Sequence, residues 1–297
     1  MPVMPDSIAD AIRAMGHVFD PSVVANTFAL YDPLIAAAPR EGISVARDLH
    51  YGPNPRHLLD IHVPEGGVKQ PMPVVVFIHG GGFVRGHKNA NPENLNMAYA
   101  NIANYFARNG MIGVNATYRL APEHQWPAGA EDVGSMVAWL RDNIAEHGGD
   151  PDSIFLFGQS AGAVHAATYL FFPDLHRTPG SGVAGAALFS GVYDVESVPA
   201  PASEPYYGAD KGLHRARSPI HAVANSHVPL FIVIAEYDPP MMELQGIDLL
   251  RTVARRDGHS PRFSRLKGHN HLSEALHLNT GEETVGPELL DFVRTRR

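Results

Sequence analysis

The 297-residue chain carries 31 acidic against 23 basic side chains, a net charge of −8. It has no basic block, so the electrostatic footprint of a nucleic-acid binder is excluded. Cysteine is absent, which excludes disulfides, thiol catalysis and cysteine-ligated metals and fits a reducing, cytoplasmic setting. With 44% hydrophobic residues the chain can bury a large core, while no signal-peptide pattern and no run of roughly 18 apolar residues points to a membrane.

Residues 7–38 mix helical spacing (Ile8, Ile12, Met15) with Pro21, Pro33 and Pro39. This predicts short helices broken by turns, an N-terminal cap segment over residues 1–43. From residue 44 the pattern changes. ISVARDLHYG, RHLLDIHVP and the buried run PVVVFIHG read as strands. Helix and strand then alternate: a helix from Leu95 to Gly110, the strand MIGVNATY, a helix from Ala128 to Ala145, the strand SIFLFG and the helix AGAVHAATYL. The strands VAGAALFSG and VPLFIVIAEY follow. Such alternation predicts an α/β catalytic domain over 44–297, a mostly parallel sheet with helices on both faces. Residues 195–225, with four prolines and no strong periodicity, read as an excursion over the sheet edge.

The pentapeptide Gly158-Gln159-Ser160-Ala161-Gly162 stands between a short apolar strand and a helix. A serine on a tight strand-to-helix turn strains the backbone, and side chains two positions either side would collide, so glycines there suit a nucleophile elbow. Upstream, the strand VVVFI ends in His79-Gly80-Gly81-Gly82-Phe83. Consecutive glycines leave amides bare for the oxygen that becomes negative in acyl transfer. Gly81 and Gly82, joined by the amide of Ala161, are the expected oxyanion donors. A phosphate loop would need a lysine and a hydroxyl at fixed spacing, which are absent.

HGGGF, YRLAPEHQWPAGAEDV (residues 118–133) and GQSAG, in this order, resemble the hormone-sensitive lipase family of α/β-hydrolases over roughly residues 45–295. LHYG, LLDIHVP and GQSAGA are also similar to arylformamidases and small feruloyl or acetyl esterases. The resemblance implies the α/β-hydrolase fold and gives Tyr118, Arg119 and Glu123 structural roles. It also implies a triad whose acid and histidine follow the serine in that order. Asp238, directly after the strand VPLFIVIAEY, matches the acid position; Asp194 is the runner-up and Glu236 a weaker choice. Beyond Asp238 stand His259, His269, His271 and His277. The family pattern places a glycine three positions before the base and an apolar residue after it, which fits Gly268, His271 and Leu272 and leaves His269 as the alternative. A metal bound between His269 and His271 would need a third ligand and usually a fourth, so no metal is expected.

These readings combine into a cofactor-free serine carboxylesterase with Ser160, Asp238 and His271 as triad, acting on short-chain or aryl esters. The N-terminal segment and the 195–225 excursion are expected to meet above the elbow as a small lid. Phe83, Trp126, Tyr206 and Tyr207 are candidate pocket walls, each as readily ordinary core. An arylformamidase or other amidase using the same triad is the alternative. A non-catalytic ligand-binding relative would have lost a triad member, and here all three are available. The expected partner is a small ester, and a homodimer is compatible with the sequence.

Overall fold

The computed structural model describes residues 4–66, 70–90 and 97–296. Two helices come first, α1 (Asp6–Met15) and α2 (Pro21–Ala37), then strands β1 (Ile43–His50), β2 (Leu58–Pro64) and β3 (Met72–Ile78). Alternation follows through α3 (Ala98–Arg108), β4 (Ile112–Ala116), α4 (Ala128–Asn143), β5 (Gly149–Gln159), α5 (Ala161–Phe171) and β6 (Gly185–Phe189). The excursion holds α6 (Ala200–Tyr207). After it come β7 (Leu230–Tyr237), α7 (Pro240–Asp257), β8 (Arg262–Asn270), α8 (Ser273–Leu276) and α9 (Gly286–Thr295).

All these strands join one sheet in the order β1-β2-β4-β3-β5-β6-β7-β8. β2 runs antiparallel to both neighbours, and every pairing from β4 to β8 is parallel. β3, in the middle of the sheet, is apolar along its whole length because both faces are covered. Val74, Val76 and Ile78 enter one core with α4, α5 and α7. Val75 and Phe77 enter the other with α1, α2, α3, α8 and α9. The same division recurs in β5 and β7, where Leu156 and Ile232 face one way and Phe157 and Phe231 the other. Period-two alternation thus distributes two cores even where no residue is polar.

Two expectations need correction. The prolines predict a break within residues 21–37, yet α2 is one 17-residue helix. Pro21 occupies its first turn, where a missing N–H costs nothing. Asp20 Oδ1 caps it by accepting from Ser22 N at 2.8 Å and Val23 N at 2.9 Å. Pro33 lies on the exposed face, as does Ala29, whose carbonyl the missing N–H leaves to water. The excursion, in turn, is not irregular: besides α6 it folds into short 3₁₀ turns at Val195–Ser197, Lys211–Leu213 and Pro219–Asn225. For the helix expected from Leu95, the start at Leu95 and Asn96 lies outside the described residues.

Candidate active site

Ser160 sits between the end of β5 and the start of α5 with φ 55° and ψ −122°, a conformation that costs a non-glycine residue on the order of 1–3 kcal/mol. A Cβ on Gly158 would stand 2.5 Å from Ala163 N, and one on Gly162 2.0 Å from Ile78 O, so both flanking positions require glycine. The turn is pinned by Ser160 N donating to Phe189 O at 2.8 Å.

His271 Nε2 lies 2.9 Å from Ser160 Oγ, and His271 Nδ1 lies 2.8 Å from Asp238 Oδ1. The histidine is presented by a turn at the end of β8. Asn270 Oδ1 accepts from Leu272 N at 3.1 Å and Ser273 N at 3.0 Å, and Gln159 Nε2 donates to His271 O at 2.6 Å. Asp238 Oδ2 accepts from Ala235 N at 2.8 Å. Residues before α2 close over this pair: the Phe19 ring meets the His271 ring edge-on at 4.7 Å, and His17 Nδ1 donates to Asp238 O at 3.1 Å.

His269 goes elsewhere. Two residues apart on a strand would share a face, but β8 ends at Asn270, so the turn parts the pair. His269 Nε2 lies 2.8 Å from Glu282 Oε1, and its Nδ1 lies 3.1 Å from Ser273 Oγ. Burial opposes ionisation of Glu282, but His269 and His277 outweigh it and hold the carboxyl down to about 2. Burial keeps His277 down at about 4. His269 and His271 therefore share no ligand position for a metal. Neither alternative acid meets the base: Asp194 accepts from Glu196 N at 3.1 Å, and Glu236 accepts from Gly268 N at 2.7 Å.

The loop after β3 faces the serine. Gly81 has φ 133° and Gly82 φ 58°, and a Cβ on Gly81 would stand 2.0 Å from Arg85 O. Among the described residues neither amide donates to a main-chain carbonyl. Ala161 opens α5, so its amide also lacks an intrahelical acceptor. Beneath the loop His79 is fully buried; burial pushes it down to about 3, so it stays neutral. Its Nδ1 donates to Gly80 O at 2.7 Å, and its ring stacks on Tyr118 at 4.4 Å. Tyr118 donates in turn to His79 O at 2.8 Å, and Arg119 Nε to Asp132 Oδ1 at 2.8 Å, while Glu123 is exposed. At the far end of the loop the buried Lys88 ammonium bonds Asp60 Oδ1 at 2.7 Å and Oδ2 at 2.8 Å, tying the loop to β2.

Serine, histidine and glycine loop open onto one cavity of about 780 Å³. Its apolar walls include Phe19, Val24, Phe28, Tyr99, Met242 and Leu272, and Asp32, Arg56, Arg85 and His87 add polar groups. The four expected wall residues are a correction, since none borders this cavity. Phe83 stacks on Tyr206 at 4.5 Å and meets Tyr207 edge-on at 5.6 Å, forming a satellite core with Ala161 and Val164. Trp126 packs on Phe172 at 5.8 Å beneath Arg217. These aromatics pack into a cluster of their own, away from the cavity. The lid expectation fails in the same way: α2 and the residues before it supply a wall, and the excursion supplies none.

A family model described as BD-FAE matches residues 59–171. The esterase LipQ of Mycobacterium tuberculosis is 32% identical over 233 residues, covering 72% of this chain and 54% of that protein. The carboxylesterase NlhH of the same species is 41% identical over 95 residues, 32% of this chain and 28% of that protein. Among solved structures, a hyperthermophilic esterase from Pyrobaculum calidifontis superposes with a TM-score of 0.71 at 23% identity, covering 100% of this chain and 99% of that one. A bacterial heroin esterase gives a TM-score of 0.70 at 23% identity over 99% and 98%. The chain has the α/β-hydrolase fold and is similar to esterases of the hormone-sensitive lipase type. It spans about half the length of LipQ, and less of NlhH.

Around this site in the α/β-hydrolase fold stand residues outside every motif. Ser190, Glu274, Phe19 and His17 touch the Ser160–His271–Asp238 line or its hydrogen-bond partners, and Lys88 anchors the end of the glycine loop. Only Lys88 left a signal, as a lone lysine in the polar stretch RGHKN after the glycines.

Proposed function

We propose that the chain is a serine carboxylesterase. The observation that carries the reading is the continuous line from Ser160 Oγ through His271 (2.9 Å, 2.8 Å) to Asp238, opening on the cavity beside Gly81 and Gly82. Ser160 Oγ attacks the ester carbonyl while His271 Nε2 takes its proton, and Asp238 accepts the Nδ1–H and stabilises the imidazolium without taking a proton. The amides of Gly81, Gly82 and Ala161 receive the oxyanion, each worth about 3 kcal/mol to the transition state. His271 then returns the proton to the leaving alcohol, and water repeats the sequence on the acyl-enzyme. The segment of residues 6–37 acts as the cap. A cavity of about 780 Å³ with mainly apolar walls suits short-chain or aryl acyl groups. Purified protein should hydrolyse p-nitrophenyl butyrate and bind a fluorophosphonate at Ser160. Ser160→Ala should abolish both with the circular dichroism spectrum unchanged, and retained turnover would end the assignment.

A further inference from the structure

Behind the triad acid lies a second carboxyl that the chemistry above does not use. Ser190 Oγ stands 2.5 Å from Asp238 Oδ2 and 2.7 Å from Glu274 Oε2, and Gln159 Nε2 approaches Glu274 Oε1 at 3.3 Å. Asp238 and Glu274 are 0% exposed and Ser190 1%. Ser190 holds this place at φ 45°, a left-handed conformation that is strained for serine.

The hydrogens decide the arrangement. A serine hydroxyl has one proton and can donate to one carboxyl only. With both carboxyls ionised, one of the two short contacts would set lone pair against lone pair in a dry interior, so a second proton is required. Asp238 is the better anion, since it faces His271 Nδ1, Ala235 N and the Ser190 hydroxyl. Glu274 has one long amide contact and no ion pair with a lysine, arginine or histidine among the described residues. Burial first, and the charge of Asp238 second, push the Glu274 carboxyl well above the usual carboxylate range, in the same sense. The other polar groups facing the pair bring no fixed positive charge. They are His271 itself, the Gln159 amide, His17 against the Asp238 main chain, and Tyr193, whose buried phenol is pushed up in pKa and stays neutral.

We propose that Glu274 is a positioning residue, a neutral carboxylic acid that donates from Oε2 to Ser190 Oγ, directs the Ser190 hydroxyl hydrogen onto Asp238 Oδ2, and so holds Asp238 as the anionic partner of His271. The inference rests on the triad reading. It makes the base dependent on a proton that Glu274 keeps. At high pH Glu274 loses that proton, a second negative charge develops beside Asp238, and the Ser190 hydroxyl is no longer directed to one partner.

The test compares wild type, Glu274→Gln, Glu274→Ala and Ser190→Ala in kcat/KM against pH on a neutral short-chain ester followed by pH-stat. Glutamine offers an N–H where the acid offered O–H and has no proton to lose. E274A and S190A should each lower kcat by tenfold or more with KM changed less than threefold. E274Q should recover most of what E274A loses, and should lack the alkaline decline of the wild type. Infrared spectra at neutral pH should contain the carbonyl stretch of a protonated carboxyl that E274Q removes. If E274A does not fold, the E274Q profile and the infrared band carry the test. The idea is overturned if E274Q is as impaired as E274A, if its alkaline limb matches the wild type, or if the band is absent. Fluorophosphonate labelling of the wild type separates the two levels: no labelling sinks the esterase reading, whereas labelling with a charged Glu274 sinks only this proposal.

Discussion

Replacing Lys88 with methionine removes a buried cation from two short bonds to Asp60, at 2.7 and 2.8 Å, and one to Asp48 at 2.9 Å. Asp48 has a side chain 65% exposed and loses little, because water takes over the charge. Asp60 is fully buried, and what remains to it is the Asp48 amide at 2.8 Å and a half-exposed Arg47 at 3.8 Å. Breaking a buried pair from one side costs about 3–5 kcal/mol, mostly the penalty of the stranded charge. Since one amide persists, the lower end applies. K88M should therefore lose about 3 kcal/mol in urea unfolding followed by tryptophan fluorescence, roughly a hundredfold in the folding equilibrium. Adding Asp60→Asn should recover more than half of that loss, because no charge is then stranded. The glycine loop is anchored at the same lysine, so kcat on p-nitrophenyl butyrate should fall about tenfold through looser oxyanion donors. A K88M loss below about 1 kcal/mol, or no recovery in the double variant, would refute the reasoning.

Further outcomes follow from neighbouring contacts. H271A should lower kcat by several orders of magnitude, whereas H269A should leave kcat within about tenfold but lose on the order of 3 kcal/mol of stability, as the buried Glu282 carboxyl is left without its His269 partner; the reverse result would transfer the role of base. The Glu282 carboxyl is depressed to about 2 from 4.5, so its contribution is present above about pH 4.5 and lost as pH falls through 2. Stability measured by urea between pH 5 and 3 should fall on the order of 2 kcal/mol less steeply in E282Q than in wild type. F19A removes a ring from the cavity wall and from the edge of His271, and should raise KM for aryl esters more than for acetyl esters, read from steady-state kinetics on both series.

What could be read from the sequence was whatever backbone sterics dictate. Gly158 and Gly162 are required by clashes at 2.5 and 2.0 Å, and Gly81 by one at 2.0 Å, so they announce the elbow and its loop without any knowledge of packing. The sheet was equally legible, since β-branched runs between glycines admit few alternatives. The choice between His269 and His271 was not open to periodicity, because it depends on where β8 ends and on the Asn270 side chain that forms the turn. Pocket walls were read wrongly because an aromatic residue near a motif carries no sign of its face. Phe83, Tyr206 and Tyr207 found one another, and the walls came from Phe19, Val24 and Phe28, more than 130 positions before the serine. The Ser190–Glu274 pair left no trace, as a serine and a glutamate 84 positions apart become a unit only in three dimensions.

The contacts of His17 and Phe19 with Asp238 and His271 have a consequence for the order of events during synthesis. The segment that roofs the cavity is made well before the acid and the base it touches. Until those arrive His17 and Phe19 lack the contacts they make to Asp238 and His271, and Ser160, once its strand has formed, sits without its histidine. A nascent chain lacking residues beyond about 270 can therefore fold much of its sheet and still be chemically silent. The line from Ser160 through His271 to Asp238 is complete only when these distant segments have met.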